Sequence, residues 1–513
     1  MKNLCVCVCL LISMNSLNAE HMNQEKYPDV QVRKPAVAGK FYSASEKKLQ
    51  RAMEYFFGDA IDAGPDKPMA IIAPHAGYVF SGQIAADAYN QAKQHSYDVV
   101  VILGTNHTSA AFRKVSVYPR AGYQTPLGTA RIDEELAARV LSHCPQCTYN
   151  PAVHEQEHSV EVQIPFLQYA FPEMKILPMV IGSADMDFCQ SFGESLAEVL
   201  EGRNALIVAS SDLSHYPAYD AARNVDRQTL EALTRLDPGY FHSVASGLMG
   251  GEVSNLHTCA CGEGPIITAI SAATKAGANC CRLISYANSG NAAVGSRDRV
   301  VGYGAVAFTG SEEYGAPSIF EETGERSAAA ELTDTHKKVV LGFARKTITQ
   351  FLTSETIPLA RGFEPVLNRK QGVFVTLRKG SQLRGCVGHL QNDLCLCEAV
   401  GSMALQAAFG DRRFSPVRAA ELPDIDIEVS VLTPYQKIEN YRDIRLGTDG
   451  VLLQKNGRKA VFLPEVATRM DWDRDELLGE LSMKAGLTRQ SWKEGAELFV
   501  FQTEKFEESE FRE

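Results

Sequence analysis

Four short apolar runs, each ended by glycine, proline or polar residues, constrain the fold of this chain more than any other feature of its sequence. Runs of this length suit strands that are buried on both faces, as in parallel sheets. Stretches with apolar residues at helical spacing lie near them, as at 46–57, 133–141 and 185–200. The alternation predicts an α/β domain with a mostly parallel central sheet and flanking helices. The runs are 70–73, 99–103, 175–181 and 205–209.

Three of these runs are followed closely by a histidine. His75, His107 and His215 come just after the first, second and fourth runs. Ligands bind outside the carboxyl ends of the strands in open α/β sheets, so we expect the three histidines to share one site. The alternative is that they are three unrelated surface histidines.

His75 and His107 are candidate ligands of a mononuclear metal centre. Neutral imidazoles suit iron, copper or zinc, and three protein ligands are usual at a catalytic metal site. The best third ligand is Cys261, because Pro265 suits the first turn of a following helix whose dipole would favour the thiolate. Cys261 could also be a small buried residue without a ligand role. Its rival ligands are Cys259 and Glu263.

The fourth run continues as Ser210-Ser-Asp-Leu-Ser-His215. Asp212 and His215 could form a carboxylate–imidazole pair that acts as acid and base or supports the metal ligands. Alternatively, Asp212 caps a helix that begins at Leu213. His158 and Glu161 are further candidates, reaching the site from a loop.

His154-Glu-Gln-Glu-His158 matches the zinc-peptidase pattern H-E-x-x-H, which requires both histidines on one helix. Pro151 and Pro165 flank the motif, and the residues after it alternate at period two. We therefore interpret the match as a coincidence.

The chain has 513 residues, too many for one ordinary domain of about 150 residues. A polar, acidic, Gly/Ser-rich segment at 311–331 is interpreted as a linker between domains at 33–310 and 332–505. The second domain is predicted to be α+β, with a helix at 335–353, a turn at 384–389 and an antiparallel strand at 424–431.

Asn456-Gly457 predicts a hairpin in this second domain, because Asn-Gly is the strongest short hairpin signal. Cys386 is a candidate nucleophile there, with Arg384 to lower its pKa. A small buried thiol in a tight glycine turn explains Cys386 as well.

Composition excludes several classes of protein. A formal net charge of -11 argues against general nucleic-acid binding, and no apolar run approaches the ~20 residues of a membrane span. The 13 cysteines form no disulfide framework, and Cys144-Pro-Gln-Cys147 favours a loop thiol pair over a zinc or redox site. Residues 1–21 resemble a signal peptide or precede the true start at Met22. We expect a cytoplasmic mature protein.

Several motifs together resemble the Memo family over residues 33–310. Memo proteins are similar in fold to class III extradiol dioxygenases, which hold iron(II) with two histidines and a glutamate. The resemblance implies that His75 and His107 are ligands, that Cys261 replaces the glutamate, and that His215 beside Asp212 is an acid/base histidine. The motifs are Pro35-Ala-Val-Ala-Gly-Lys-Phe-Tyr42, Ala73-Pro-His-Ala-Gly-Tyr78, Leu103-Gly-Thr-Asn-His107, Glu157-His-Ser-Val-Glu161, Ser210-Ser-Asp-Leu-Ser-His215 and Cys261-Gly-Glu-Gly-Pro265.

Residues 332–505 resemble the AMMECR-like domain, through Leu383-Arg-Gly-Cys-Val-Gly388, Phe409-Gly-Asp-Arg-Arg-Phe-Ser-Pro416, Glu428-Val-Ser-Val-Leu432 and Leu463-Pro-Glu-Val466. The order of the two domains is similar to the AmmeMemoRadiSam system, whose name implies a radical SAM partner. This chain has no CxxxCxxC motif, so the radical SAM activity would come from a separate protein.

These observations predict iron(II)- or copper-dependent redox chemistry on a small-molecule substrate, with zinc a less suitable metal. The alternatives are a non-catalytic metal carrier or interaction scaffold, and a zinc hydrolase built on His154 and His158.

Overall fold

The structure is a computed structural model that describes residues 32–310, 320 and 331–512. The candidate signal peptide at 1–21 and nearly all of the predicted linker at 311–331 lie outside the described residues. The chain divides into two compact units. Among the described residues, the first comprises 32–53, Asp59–Tyr286 and 302–310, and the second Glu54–Gly58, Ala287–Val301, 320 and 331–512.

Strands and helices alternate through the first part of the chain. The strands are β1 (Val32–Arg33), β2 (Pro68–Ala73), β3 (Val99–Thr105), β4 (Val115–Val117), β5 (Gly122–Thr125), β6 (Gly128–Arg131), β7 (Cys147–Thr148), β8 (Ile176–Ile181), β9 (Ala205–Ser210), β10 (Cys280–Asn288) and β11 (Gly302–Thr309). The helices are α1 (Glu46–Gly58), α2 (Tyr78–Lys93), α3 (Glu134–His143), α4 (Pro151–Glu155), α5 (His158–Glu161), α6 (Ile164–Ala170), α7 (Met186–Val199), α8 (Tyr219–Leu233), α9 (Pro238–Met249) and α10 (Glu263–Lys275).

An eight-stranded sheet in the order β10-β11-β2-β9-β3-β8-β4-β7 forms the centre of this unit. The four predicted apolar runs are its adjacent strands β2, β9, β3 and β8, and they are parallel to one another. Their residues are almost all buried, as expected for strands covered on both faces. The carboxyl ends of β2, β9 and β3 therefore lie side by side.

The sheet is mixed rather than simply parallel, because both sides of the parallel core carry antiparallel pairs. β11 runs antiparallel to β2, and β4 runs antiparallel to β8. β11 is as fully buried as the parallel strands, so burial and composition do not distinguish its direction. The fold is thus α/β with a large mixed sheet and flanking helices.

The second unit is rich in antiparallel strands. Its strands are β12 (Val373–Lys379), β13 (Gln382–His389), β14 (Ile425–Leu432), β15 (Gln436–Ile438), β16 (Gly450–Lys455), β17 (Arg458–Phe462), β18 (Glu497–Phe501) and β19 (Thr503–Glu507). Its helices are α11 (Asp334–Ser354), α12 (Leu396–Leu405), α13 (Pro464–Met470) and α14 (Arg474–Lys484). The strands form two four-stranded sheets, β13-β12-β14-β19 and β15-β18-β16-β17.

The predicted hairpin is present between β16 and β17. Asn456 and Gly457 both have positive φ, at 51° and 73°, which is the conformation that a tight hairpin turn requires. The alternating run at 424–431 is the central strand β14, whose partners β12 and β19 are both antiparallel to it.

The predicted turn at 384–389 is wrong, since these residues belong to β13. Its glycines allow close packing instead of a turn. A Cβ at Gly385 would lie 2.1 Å from the carbonyl oxygen of Ala407, and a Cβ at Gly388 would lie 2.2 Å from the ring of Phe374. Glycine in a strand often marks such a close approach.

No helix in the described ranges is both long enough and apolar enough to cross a bilayer.

Candidate metal centre

The carboxyl ends of β2 and β3 and the loop before α10 bring three predicted ligands together. His75 follows β2, His107 follows β3, and Cys261 lies two residues before α10. Each residue offers one donor atom, and these atoms lie within 4.8 Å of one another. The structure thus brings together the three residues from which the sequence predicts a metal centre.

His75 is oriented by a buried hydrogen-bond network. Its Nδ1 lies 3.0 Å from the hydroxyl of Ser210, which donates to the carbonyl oxygen of Ser159 at 2.6 Å and accepts from the Gln163 amide at 2.8 Å. The hydroxyl has one proton, already donated, so Nδ1 must be the donor to it. Nε2 of His75 is therefore unprotonated and faces Cys261 Sγ at 3.0 Å. Burial lowers the pKa of His75 to about 3, which keeps the ring neutral.

His107 is oriented by a carboxylate that the sequence analysis did not select, that of Glu157. Its backbone N–H donates to one oxygen of Glu157 at 2.7 Å, and its Nδ1 lies 2.9 Å from the other. Burial alone would raise the pKa of Glu157, but the hydrogen bond and charge of His107, with His158 and Ser159, lower it to about 2. The ionised carboxylate can only accept, so Nδ1 carries the proton and Nε2 is free to bind a metal. The His107 side chain is 30% exposed.

Cys261 is held in place by close contacts between its loop and the end of β9. Its N–H donates to the carbonyl oxygen of Asp212 at 3.2 Å, and Gly262 N–H donates to Ser211 Oγ at 2.9 Å. A Cβ at Gly262 would lie only 2.5 Å from the carbonyl oxygen of Ser210, so this position requires glycine.

The prediction that Cys261 is a thiolate because of the α10 dipole is wrong for the protein without a metal. Burial, and then the charge of Asp212, raise the pKa of Cys261 well above its usual value. These two effects outweigh the lowering of the thiol pKa that is expected from the amino terminus of α10. A metal ion would have to displace the thiol proton on binding.

Asp212 joins two of the strand-end loops. One carboxylate oxygen accepts from the N–H of His75 at 2.7 Å and from the N–H of Ala76 at 3.2 Å. The other lies 3.9 Å from Nε2 of His215, an ion-pair distance that is too long for a hydrogen bond. No helix begins at Leu213, so the alternative role of Asp212 as a helix cap is wrong.

His158 lies inside the cluster, whereas Glu161 has other partners. The ring of His158 stacks on His107 at 4.5 Å and meets His75 edge-on at 5.3 Å. Burial lowers the pKa of His158. The Glu161 carboxylate is fully buried and bonds Arg33, the Tyr42 hydroxyl at 2.6 Å and two backbone N–H groups. It anchors the segment that precedes α1 and is not one of the clustered donors.

His154 and His158 lie on separate short helices, α4 and α5, so they do not form an H-E-x-x-H zinc site. Both ring nitrogens of His154 already have partners, Tyr123 Oη at 2.7 Å and Ser116 Oγ at 2.9 Å. His158 and Glu161 were expected on a loop, but both belong to the short helix α5. A zinc hydrolase built on these two histidines is therefore not supported.

The two rival ligands point elsewhere. Cys259 Sγ lies 3.6 Å from the carbonyl oxygen of Ala245 in a small apolar cluster. Glu263 is paired with His242, with 2.6 Å between Oε1 and Nδ1. Neither residue belongs to the groups of converging donors in the described part of the chain.

Glu157 and Ser210 are the supporting residues that sequence reasoning missed. Each is the first residue of a quoted motif, Glu157 directly before His158 and Ser210 two residues before Asp212, but neither was assigned a role. Their roles depend on how the loop at 150–161 packs against β3 and β9, which no local pattern reveals.

In the second unit, Arg384 was predicted to lower the pKa of Cys386, but its guanidinium is directed to Glu421 instead. Arg384 forms a two-pronged contact with Glu421, at 2.9 and 3.2 Å. Asp411 accepts from the Cys386 N–H at 2.9 Å, and Arg413 donates to the Cys386 carbonyl oxygen at 3.0 Å.

Comparisons with known proteins relate the two parts of the chain to two families. Residues 33–307 match the family described as Memo-like protein, and residues 341–506 match AMMECR1. A MEMO1 family protein of Methanopyrus kandleri is 35% identical over 288 residues, 54% of this chain and 98% of that protein. One of Aquifex aeolicus is 37% identical over 277 residues, 53% of this chain and 98% of that protein. Among solved structures, an uncharacterized protein of Pyrococcus horikoshii is 34% identical, covering 34% of this chain and 93% of that one, with a TM-score of 0.33.

Proposed function

Because the chain belongs to the Memo family and carries an AMMECR1 domain after its Memo-like domain, we propose that it binds one iron or copper ion and performs redox chemistry on a small molecule. His75, His107 and Cys261 would hold the metal. The observation that carries the proposal is the convergence of their donor atoms to within 4.8 Å of one another. Three protein ligands with an open position are usual at catalytic metal centres.

The chemistry of the donors fits such an ion. Both imidazoles are oriented through Nδ1, one by Ser210 and the other by Glu157, which leaves Nε2 of each ring as the nitrogen that would bind the metal. Imidazole suits iron, copper and zinc, while a thiolate adds a preference for softer ions such as copper(I). When bound, the metal would supply a redox-active centre that can activate oxygen or a substrate oxygen atom.

His215 and Asp212 are assigned the proton-handling role. The His215 side chain is 21% exposed, and its Nε2 faces the carboxylate of Asp212 at 3.9 Å. Asp212, His215 and Cys261 also form a group of converging donor atoms, so His215 adjoins the metal ligand. His215 would transfer a proton to or from the substrate as the acid/base group, with the Asp212 carboxylate beside its Nε2. His158 narrows the space beside both histidine ligands.

The proposal includes a fold related to the class III extradiol dioxygenases and a separate radical SAM protein as partner. Parallel strands whose carboxyl ends carry the histidines support the first part. The absence of a CxxxCxxC motif from the sequence supports a separate partner. Purification of the full chain from its native cells, followed by a search for a co-purifying radical SAM protein, tests the second part.

Elemental analysis of anaerobically purified protein tests the metal site. We expect about one iron or copper per chain in the wild type, with a thiolate-to-metal absorption band, and little metal in Cys261→Ala. Cys259→Ala is the matched control, since Cys259 lies in the same loop but its sulfur faces Ala245. Full metal content in Cys261→Ala, with loss in Cys259→Ala, would overturn the ligand assignment.

A metal carrier is the second candidate, favoured by the thiol ligand and by the partial exposure of His107. Oxygen consumption with small phenols separates the two functions. The redox proposal expects turnover in the wild type, and expects His215→Ala to keep its metal but lose turnover. A carrier would consume no oxygen and would pass its metal quickly to a chelator or an acceptor protein. Loss of metal from His215→Ala would show that His215 is itself a ligand.

A further inference from the structure

A tight turn between α3 and the edge strand β7 places two cysteines next to each other. The turn is Cys144-Pro-Gln-Cys147, and the N–H of Cys147 donates to the carbonyl oxygen of Cys144 at 2.9 Å. Proline in the second position suits such a turn, whose end Cα atoms lie within about 7 Å of one another. A disulfide needs a Cα separation of about 4.4–6.8 Å, so the turn already has nearly the spacing of a bonded pair.

The side chains of the two cysteines also meet. The two thiols lie close enough to influence each other's titration, and all the cysteines in the described ranges are free thiols. A second thiol beside the first lowers the pKa for the loss of one proton from the pair, because the remaining thiol can donate to the thiolate. The pair therefore loses its first proton more readily than a lone buried thiol does.

The two cysteines differ in access to solvent. Cys144 is only 1% exposed, whereas Cys147 is half-buried. A small disulfide in solution can therefore reach Cys147 before it reaches Cys144.

We propose that Cys144 and Cys147 form a reversible disulfide site that exchanges with small-molecule disulfides of the glutathione class. Cys147 displaces one thiol from the external disulfide and forms a mixed disulfide with the other half. Cys144 then attacks the Cys147 sulfur, forms the internal S–S bond and releases the second small thiol. The two cysteines are oxidised, the external disulfide is reduced, and its two thiols carry away the two protons.

The position of the turn gives the modification a structural effect. Cys147 and Thr148 pair with Val115 and Ser116 of β4, and the Ser116 hydroxyl contacts both Asn150 and His154. An internal disulfide would fix the turn at the start of the segment that runs from Cys147 to His154.

The vicinal pair Cys280-Cys281 provides an internal control. It lies in β10, where neighbouring side chains point to opposite faces, so its thiols cannot approach each other as those in the turn do.

The sequence allows both pairs to be followed in one digest. Trypsin releases residues 140–175, whose only cysteines are Cys144 and Cys147, and residues 276–282, whose only cysteines are Cys280 and Cys281. The full-length wild type is equilibrated with mixtures of oxidised and reduced glutathione, quenched with acid and alkylated. Mass spectrometry then gives the fraction of each peptide that is internally oxidised.

We expect the 140–175 peptide to become half-oxidised at a ratio of oxidised to reduced glutathione at least about tenfold lower than the 276–282 peptide requires. Added reductant should return it to two alkylated thiols. Equal behaviour of both peptides, or a 140–175 peptide that stays reduced or stops at the mixed disulfide, would overturn the proposal.

Single substitutions test the order of the steps. Cys144→Ser should accumulate a stable mixed disulfide at Cys147, because the thiol that completes the exchange is absent. Cys147→Ser should leave the buried Cys144 almost unmodified. A mixed disulfide that forms readily on Cys144 in Cys147→Ser would contradict the assigned order.

Discussion

Asp226 of α8 is a buried carboxyl group whose replacement should change how the stability of the first unit depends on pH. Its side chain is fully buried and accepts from the Ser214 N–H at 2.8 Å and from the Tyr286 hydroxyl at 2.8 Å. A Cβ at Gly302 would lie 2.1 Å from its Oδ2, so the surroundings are tightly packed. Burial raises the pKa of Asp226 from 3.8 to about 7.

The raised pKa of Asp226 determines whether stability rises or falls with pH. Below about pH 4 the group is protonated in both folded and unfolded chains and has no effect on stability. As the pH rises towards 7, the unfolded chain releases the proton freely while the folded chain retains it, so the free energy of unfolding falls. A shift from 3.8 to about 7 corresponds to a loss on the order of 4 kcal/mol, complete above pH 7.

Asp226→Asn has a similar shape and does not titrate, so it should lose this dependence. The free energy of unfolding of Asp226→Asn minus that of wild type should be about 4 kcal/mol larger at pH 8 than at pH 4, because only the wild type loses stability as the pH rises. Urea titrations read by hydrogen-exchange mass spectrometry of peptides from β9 and α8 measure this unit, since both tryptophans lie in the second unit. Asp237→Asn, at the exposed cap of α9, is the control. Parallel pH profiles of wild type and Asp226→Asn would refute the reasoning.

Three further outcomes are expected. Glu157→Gln removes the charge that fixes the His107 ring, so metal affinity in a chelator competition should fall about 10- to 100-fold; unchanged affinity would show that the ring is held by other contacts. His154→Ala removes the partner of the buried Tyr123 hydroxyl and one of the partners of the Ser116 hydroxyl, so unfolding should become easier by about 1–3 kcal/mol while metal content per folded chain stays at the wild-type value. Gly262→Ala places a methyl group 2.5 Å from a backbone carbonyl oxygen, which should cost about 1–3 kcal/mol and lower metal occupancy, whereas Gly247→Ala, with no neighbour within 4 Å, should not.

The parallel core could be predicted because nearly every residue of its strands is apolar. Each run is apolar on both faces and stops at a polar residue, so length and breakers were sufficient to locate it. The direction of β11 could not be predicted, because a strand buried on both faces has the same composition whether it runs parallel or antiparallel. The β13 strand was missed for a different reason. Its two glycines suggested a turn. They are needed because Ala407 and Phe374 lie too close to the backbone of β13 to leave room for a side chain.

The donor residues were also accessible to sequence reasoning, since His75 and His107 follow directly on strands. The state of Cys261 was not, because it depends on burial and on the charge of Asp212, which comes from another loop. Likewise, the role of Arg384 was misjudged because Glu421, its real partner, lies 37 residues away in the sequence.

The proposed metal ligands also bear on how the protein matures. His75 and Cys261 are 186 residues apart along the chain, and they meet only after β2, β9 and α10 have assembled. A chain that has not finished folding offers only separate imidazoles and thiols, and closing such long loops is a slow event. Metal loading should therefore come after assembly of the sheet, and the metal content of a preparation would measure the fraction of chains whose first unit has folded completely.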